Sequence, residues 1–359
     1  MPDKKYKSSR SKSFKYRKEK FMTNKERWES ILKNKTIPDD RLPVMEWSVW
    51  WTETVKRWES EGMPKNLGNQ NIHKYFGLDE HCQFMVSALG ASCPHPASHF
   101  GPRINSKKDY GEIKKHLFKP ENIGQFIGTA KKIASRKSGE KCPVSLLVHG
   151  FFWFPRELFG VENHFYAFYD CPGLMHMMNE DLLEYNKNAI DEICDVLIPD
   201  ILCLYEDMSY NHGAMLSKKM FDEFVAPYYR KLIAYARKKG MVVFVDTDGN
   251  LESLIPWYIE NGVQGVTPLE RQAGVDVERI LCKYPDFLAM GGFDKMAMPK
   301  GETAMRSEFE RIFPAMKTGR YIVSVDHQTP PGVSIENYKI YLRLLREYCA
   351  KAAAKNQKI

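Results

Sequence analysis

What the chain lacks narrows its reading first. No apolar run approaches the roughly 20 residues needed to span a bilayer, and the Lys-, Arg- and Ser-rich start offers no secretory apolar region. The eight cysteines (82, 93, 142, 171, 194, 203, 282 and 349) contain no CxxC pair. That argues against a cysteine-only zinc site or a disulfide framework and for reduced thiols in a cytoplasm. No GxGxxG follows any candidate strand, which disfavours a dinucleotide fold. There is no internal repeat and no low-complexity linker to mark a second domain.

Basic charge is also scarcer than the net +8 suggests. Residues 1–20, MPDKKYKSSRSKSFKYRKEK, carry nine Lys/Arg against Asp3 and Glu19, a net of +7. Residues 21–359 are therefore close to neutral. The composition of 1–21 predicts a disordered basic tail, with Met22 opening the folded part. Beyond it no basic stripe is interleaved with aromatics, so neither a nucleic-acid partner nor a membrane is expected.

What is present is alternation. With 43% apolar residues a large core is available. Candidate strands are 43–47, 83–88, 144–150, 201–207, 241–246, 265–270, 287–294 and 321–327. Helical patterns fall between them, notably 172–194, 217–240, 252–262, 275–284 and 335–353, with Ser217 a candidate N-cap and Gly240 a candidate stop. Near-uniformly apolar strands, each followed by a helix, imply a parallel sheet covered on its outer face. Eight such units predict an α/β fold, a single-domain (β/α)8 TIM barrel over 22–359.

Active sites of such barrels form at the C-terminal strand ends, and here those ends repeat one chemistry. They read His149-Gly150, Tyr205-Glu206-Asp207, Asp246-Thr247-Asp248-Gly249-Asn250, Glu270-Arg271, Asp294-Lys295 and Asp326-His327. A single Asp after a strand is usually a helix cap or turn residue. Recurrence at successive ends is not explained that way. Two chemistries fit. A cation could be held by Asp248, Glu270 and His327, oxygen and nitrogen donors suited to zinc, manganese or iron. Alternatively, Glu206, Asp207 and Asp246 could raise one another's pKa and act as catalytic acid or base groups. His149, Tyr205 and Asp294 are candidate substrate contacts. The aromatic stretch FFWFPRELFGVENHFYAFYD (151–170) reads either as a wall over a flat ligand, with Arg156 binding its anionic portion, or as core packing. In MEWSVWWTETVKRW (45–58) at least half the Trp residues are expected in the core.

Several of these segments together carry a resemblance. MTNKERW, EDMSYNHGAMLSKKMFDEFVAPYYRKL, VFVDTDGN, GVTPLE, GGFDK and YIVSVDHQTPPGVSIENY, from about Met22 to Tyr348, resemble the uroporphyrinogen decarboxylase superfamily of (β/α)8 barrels. One branch decarboxylates uroporphyrinogen without a cofactor and carries an Arg-Gln-Ala-Gly-Arg run after its first strand. That run is missing after 43–47, and the later RQAG at 271–274 follows a different strand. The other branch moves methyl groups to or from a corrinoid protein, with zinc held by His-x-Cys-Gly and a later Cys before Thr-Pro. This chain has Asp246-Thr247-Asp248-Gly249 and His327 there, so the resemblance implies a harder site without thiolates. It implies a cytoplasmic methyltransferase of anaerobic one-carbon metabolism, taking a small-molecule methyl donor or folate-type acceptor. It would carry a divalent metal, zinc foremost, and work with a corrinoid carried by a partner protein. Decarboxylation of a porphyrinogen-like or other carboxylated ring is the alternative.

Overall fold

The computed structural model describes residues 21–137 and 140–354, so the basic tail expected over 1–21 lies almost wholly outside the described residues. Seven parallel strands form one curled sheet in the order β1 (Cys82–Val86), β2 (Val144–His149), β3 (Ile201–Tyr205), β6 (Val242–Asp246), β7 (Gly265–Thr267), β8 (Leu288–Phe293) and β9 (Tyr321–Val325). Between β3 and β6 the chain adds a hairpin, β4 (Ser209–Tyr210) with β5 (Gly213–Ala214), which sequence periodicity does not predict. Strands β6 and β8 are buried on both faces and β2 nearly so, as their apolar runs require, while β1 at the edge leaves Gln83 and Met85 exposed. Register places His149 beside Tyr205, Tyr205 beside Asp246 and Asp246 beside Thr267. The polar strand ends therefore open at one level, on one rim.

The expected first strand, 43–47, does not form, and the eight-stranded barrel is corrected to a seven-stranded curled sheet. Pro43 lacks a backbone donor, and the segment is held in an irregular path by side chains instead. Buried Glu46 accepts from Ser324 Oγ at 2.5 Å and from Val325 N at 3.3 Å. Trp47 donates its indole N–H to Val325 O at 2.8 Å, and Gln83 Nε2 donates to Trp47 O at 2.7 Å. The segment thus lies between β9 and β1, bonded to both without joining the ladder.

Helices cover the outer face largely where the 3.6-residue pattern predicts. Helix Pro172–Cys194 buries Leu174, Met178, Leu182, Ala189 and Ile193 along one stripe. Its Asn186 donates to His149 O at the end of β2 at 3.0 Å, so the helix also fixes the rim. The pattern over 217–240 is two helices, Lys218–Phe224 and Ala226–Lys238, because Pro227 starts a new first turn. Ser217 caps the first by accepting from Met220 N at 3.2 Å. Trp50 and Trp58 are in the core as expected, with the Trp58 ring centroid 4.5 Å from that of Tyr338 and the two rings tilted by 32°. All eight cysteines are free, and among the described residues no helix is long and apolar enough to cross a membrane.

Burial pushes the Glu46 carboxyl up to about 7 from an ordinary 4.5, against the hydrogen bonds of Ser324 and Val325. Between those values the native chain keeps a proton that the unfolded chain has lost. Its contribution is present below the lower value and is lost as pH rises through the higher one, at about 1.4 kcal/mol per pH unit. A non-titrating Glu46→Gln chain is expected to gain on the wild type by about 3 kcal/mol between pH 4.5 and 7 in urea denaturation. A gap that does not change with pH would contradict this.

Candidate functional site

The rim brings Asp207, Asp246, Asp248, Glu270 and His327 together. Ligand atoms of Asp248, Glu270 and His327 all lie within 4.8 Å of one another, with His327 Nε2 at 3.5 Å from Asp248 Oδ2. Local structure explains how this is reached. After β6, Thr247 is fully buried, and its Oγ1 accepts from Met208 N at 2.9 Å. Ser209 Oγ donates to Asp248 O at 2.6 Å. Gly249 then turns with φ +80°, pressed on Tyr210 of the hairpin, where an added Cβ would come 2.6 Å from Tyr210 Cα. Its N–H donates to Glu270 Oε2 at 2.8 Å, and Asp248 N donates to Asp207 Oδ1 at 3.2 Å. Glycine follows the two carboxylates because only it fits against the hairpin while aiming an N–H at the third.

Electrostatically the rim is crowded with one sign. Burial first, then Asp207, Asp248 and Glu270, pushes Asp246 well above the carboxylate range. Burial and the Asp248 charge raise Asp207 to about 6, although Arg156 and His327 pull the other way. His327 is raised: burial opposes its charge, but Asp248 and Glu270 outweigh it. A cation in this ring would relieve the repulsion that these shifts record. In a tetrahedral site with bonds of about 2.0–2.2 Å two ligand atoms stand about 3.3–3.6 Å apart, so the widest of these separations has to close by about an ångström. Oxygen and imidazole donors without thiolate fit zinc, manganese or iron.

Other expected site residues have different places. Glu206 is fully buried, and its oxygens accept from Phe151 N at 2.9 Å, Phe152 N at 2.8 Å and Trp153 N at 3.1 Å. It anchors the first turn of helix Trp153–Phe159, with both oxygens taken up by main-chain donors where a catalytic role was expected. Gly150 makes this possible, since a Cβ there would meet the Glu206 carboxyl at 2.0 Å. Asp294, expected as a substrate contact, caps the following turn: it accepts from Met296 N at 2.8 Å and Gln272 Nε2 at 2.6 Å. His149 is buried with Nε2 at 3.7 Å from Glu157, and burial lowers its pKa to about 4. It is a neutral packing group behind the wall. Tyr205 is half-buried against Trp153 at 4.8 Å. Phe151, Phe152 and Phe154 are core, while Arg156 lies over Trp153 and donates to Asp207 O at 3.0 Å.

The sequence reading missed three contributors. Trp47 sets its ring edge-on to His327 at 6.2 Å; its position before an irregular segment gave no signal. Asp326 is buried beneath, accepting from Arg271 N at 3.0 Å and paired with Lys295 Nζ at 3.2 Å. Lys295 is thus bound to Asp326, and the Asp-Lys and Asp-His strand ends were the available clue. The RQAG stretch serves this site through the main-chain N–H of Arg271.

With the geometry in view, comparison with known proteins is informative. Residues 85–348 match the uroporphyrinogen decarboxylase (URO-D) family. The chain belongs to that family. A methyltransferase from Methanosarcina mazei shares its fold with TM-score 0.64 at 14% identity, over 91% of this chain and 99% of the other. A Listeria monocytogenes protein described as a vitamin-B12 independent methionine synthase matches over 90% and 99% at 12% identity, with a TM-score of 0.42 too low to carry an argument. No curated protein matches the sequence.

Replacing Glu206 by Gln sets an amide N–H₂ against a cluster of backbone donors. We expect a loss of about 2 kcal/mol or more in unfolding free energy, with metal content unchanged per folded molecule. A stable Glu206→Gln chain with a selectively lost activity would return Glu206 to the catalytic set.

Proposed function

We propose that this URO-D family chain is a metal-dependent methyltransferase, moving a methyl group between a small-molecule donor or folate-type acceptor and a corrinoid carried by a partner protein. The observation that carries the reading is the convergence of Asp248, Glu270 and His327 within 4.8 Å on the rim. The shared fold with a methyltransferase agrees with it. Asp248, Glu270 and His327 would hold the ion, zinc foremost, and the bound ion would supply Lewis acidity to activate the acceptor or leaving atom. Asp246, whose burial and carboxylate neighbours favour its protonated form, would serve as the general acid beside these ligands. Asp207, fixed by Asp248 N, and half-buried Tyr205 would orient the ligand. Trp47 and Trp153 would wall it and exclude water. The free thiols suit a reducing cytoplasm, where low-potential corrinoid chemistry would operate.

Decarboxylation of a carboxylated ring compound is the second reading, favoured by one observation: Asp246 is buried among carboxylate neighbours that favour its protonated form, as an acid delivering a proton to a carbanion without a metal would need.

The two separate in one experiment. The full chain is incubated with free cob(I)alamin and a panel of methoxylated aromatic and methylamine donors, in reverse with methylcobalamin and tetrahydrofolate, and in parallel with carboxylated ring compounds. The reading predicts turnover abolished by chelator, restored by zinc or manganese, and reduced by about 100-fold or more in Asp248→Ala. Release of CO₂ from carboxylated rings, indifferent to chelator and lost in Asp246→Asn, would instead establish the second reading.

A further inference from the structure

Beside the rim lies a second cavity of about 260 Å³, to which Phe100, Arg103, Trp153, Arg156 and Glu157 contribute walls. One side is helix Trp153–Phe159. The other is the loop ending at Arg103, clamped to that helix: Arg103 N and Ile104 N donate to Leu158 O at 2.7 and 3.1 Å, and Val161 N to Phe100 O at 3.2 Å.

Folding does not account for two features here. Phe100 sits at φ +57°, strained for a bulky side chain, yet its ring is 56% exposed, so burial does not repay the strain. In addition, two guanidinium groups line one small cavity. Among the described residues neither has a carboxylate within salt-bridge distance. Their bonds go to main-chain oxygens: Arg103 to Pro94 O at 3.1 Å and Glu157 O at 2.9 Å, Arg156 to Asp207 O at 3.0 Å. The Arg156 Nε is buried with no acceptor. The acid in the wall, Glu157, has its Oε2 3.7 Å from His149 Nε2. Asp207 acts on Arg156 and Glu157 on Arg103 through space, without a direct ion pair, which leaves guanidinium N–H groups for the carboxylate of a ligand.

We propose that this cavity binds the carboxylate end of the substrate, an organic acid whose apolar body lies between Phe100 and Trp153 and whose carboxylate is held by Arg103 and Arg156. The inference rests on the rim being the reaction centre. Arg156 joins the two places, since the main-chain oxygen it bonds belongs to Asp207, whose carboxylate accepts from Asp248 N. A carboxylate anchored at Arg156 leaves the other end of the molecule to reach the ring of acids. The class is argued by charge and shape. Guanidinium groups suit planar carboxylates, while a dianionic phosphate would meet Glu157 and Asp207. The volume, below the range of about 300–1,000 Å³ typical of drug-sized ligands, suits a small arene or short chain.

The test uses the full chain and three probes, benzoate, benzyl alcohol and phenyl phosphate, with binding followed by saturation-transfer NMR. Benzoate is expected to bind more tightly than the other two. Arg156→Met and Arg103→Met, checked for unchanged melting, are expected to weaken benzoate by about tenfold or more and benzyl alcohol far less. Benzoate binding that neither substitution changes, no benzoate binding to wild type at tens of millimolar, or tighter binding of phenyl phosphate would each overturn the assignment. Metal content is read on the same samples. A metal-free protein that still binds benzoate through Arg156 sinks the rim reading alone, and a metal-loaded one indifferent to Arg156 sinks this one alone.

Discussion

Mutual repulsion of carboxylates at the strand ends is the constraint around which this molecule is arranged. Asp207, Asp246, Asp248 and Glu270 come from three neighbouring loops and share one small, half-buried space. Water is too scarce there to screen them fully, so some must hold protons, find cations or accept N–H donors. The fold uses all three means. Asp246 is pushed toward its protonated form, His327 leans toward its charged form beside Asp248, and the backbone of residues 248 and 249 donates to Asp207 and Glu270. An ion held by Asp248, Glu270 and His327 would be a fourth means, and the most complete.

Supporting structure follows from that arrangement. The hairpin after β3 exists at the place where Gly249 must turn, and it presses on that glycine closely enough to exclude any side chain. Thr247 and Ser209 take up the polar groups between the two elements. Glu206, next in sequence to Asp207, faces the opposite way and secures the helix that carries Trp153 and Arg156. Neighbouring acids in the chain thus have separate tasks: one builds the wall and the other faces the ligand space.

Much of this was legible in the sequence. Apolar runs of four to six residues located seven strands, and 3.6-residue periodicity located helix Pro172–Cys194 to the residue. Recurring acids at strand ends pointed to the rim, because the parallel register levels those ends. The first strand was misread because PVMEW is apolar and short like the rest, while what holds it is a set of side-chain bonds from Glu46, Trp47 and Gln83 that no local pattern encodes. The capping bonds of Glu206 and Asp294 were not legible for a related reason. A capping carboxylate and a ligand-facing one have the same identity and neighbours in sequence, and only the direction of the side chain separates them. Trp47 and Lys295 act across long sequence separations, so their contribution is tertiary.

The claim on which the account stands is that the rim holds a single divalent cation. Metal content by plasma mass spectrometry, on wild-type protein purified without chelator and on Asp248→Ala and His327→Ala, tests it most directly. The account predicts close to one equivalent of zinc, manganese or iron in the wild type and little in either variant. No bound metal in the wild type, even after incubation with excess ions, would contradict it and leave the carboxylates as acid and base groups.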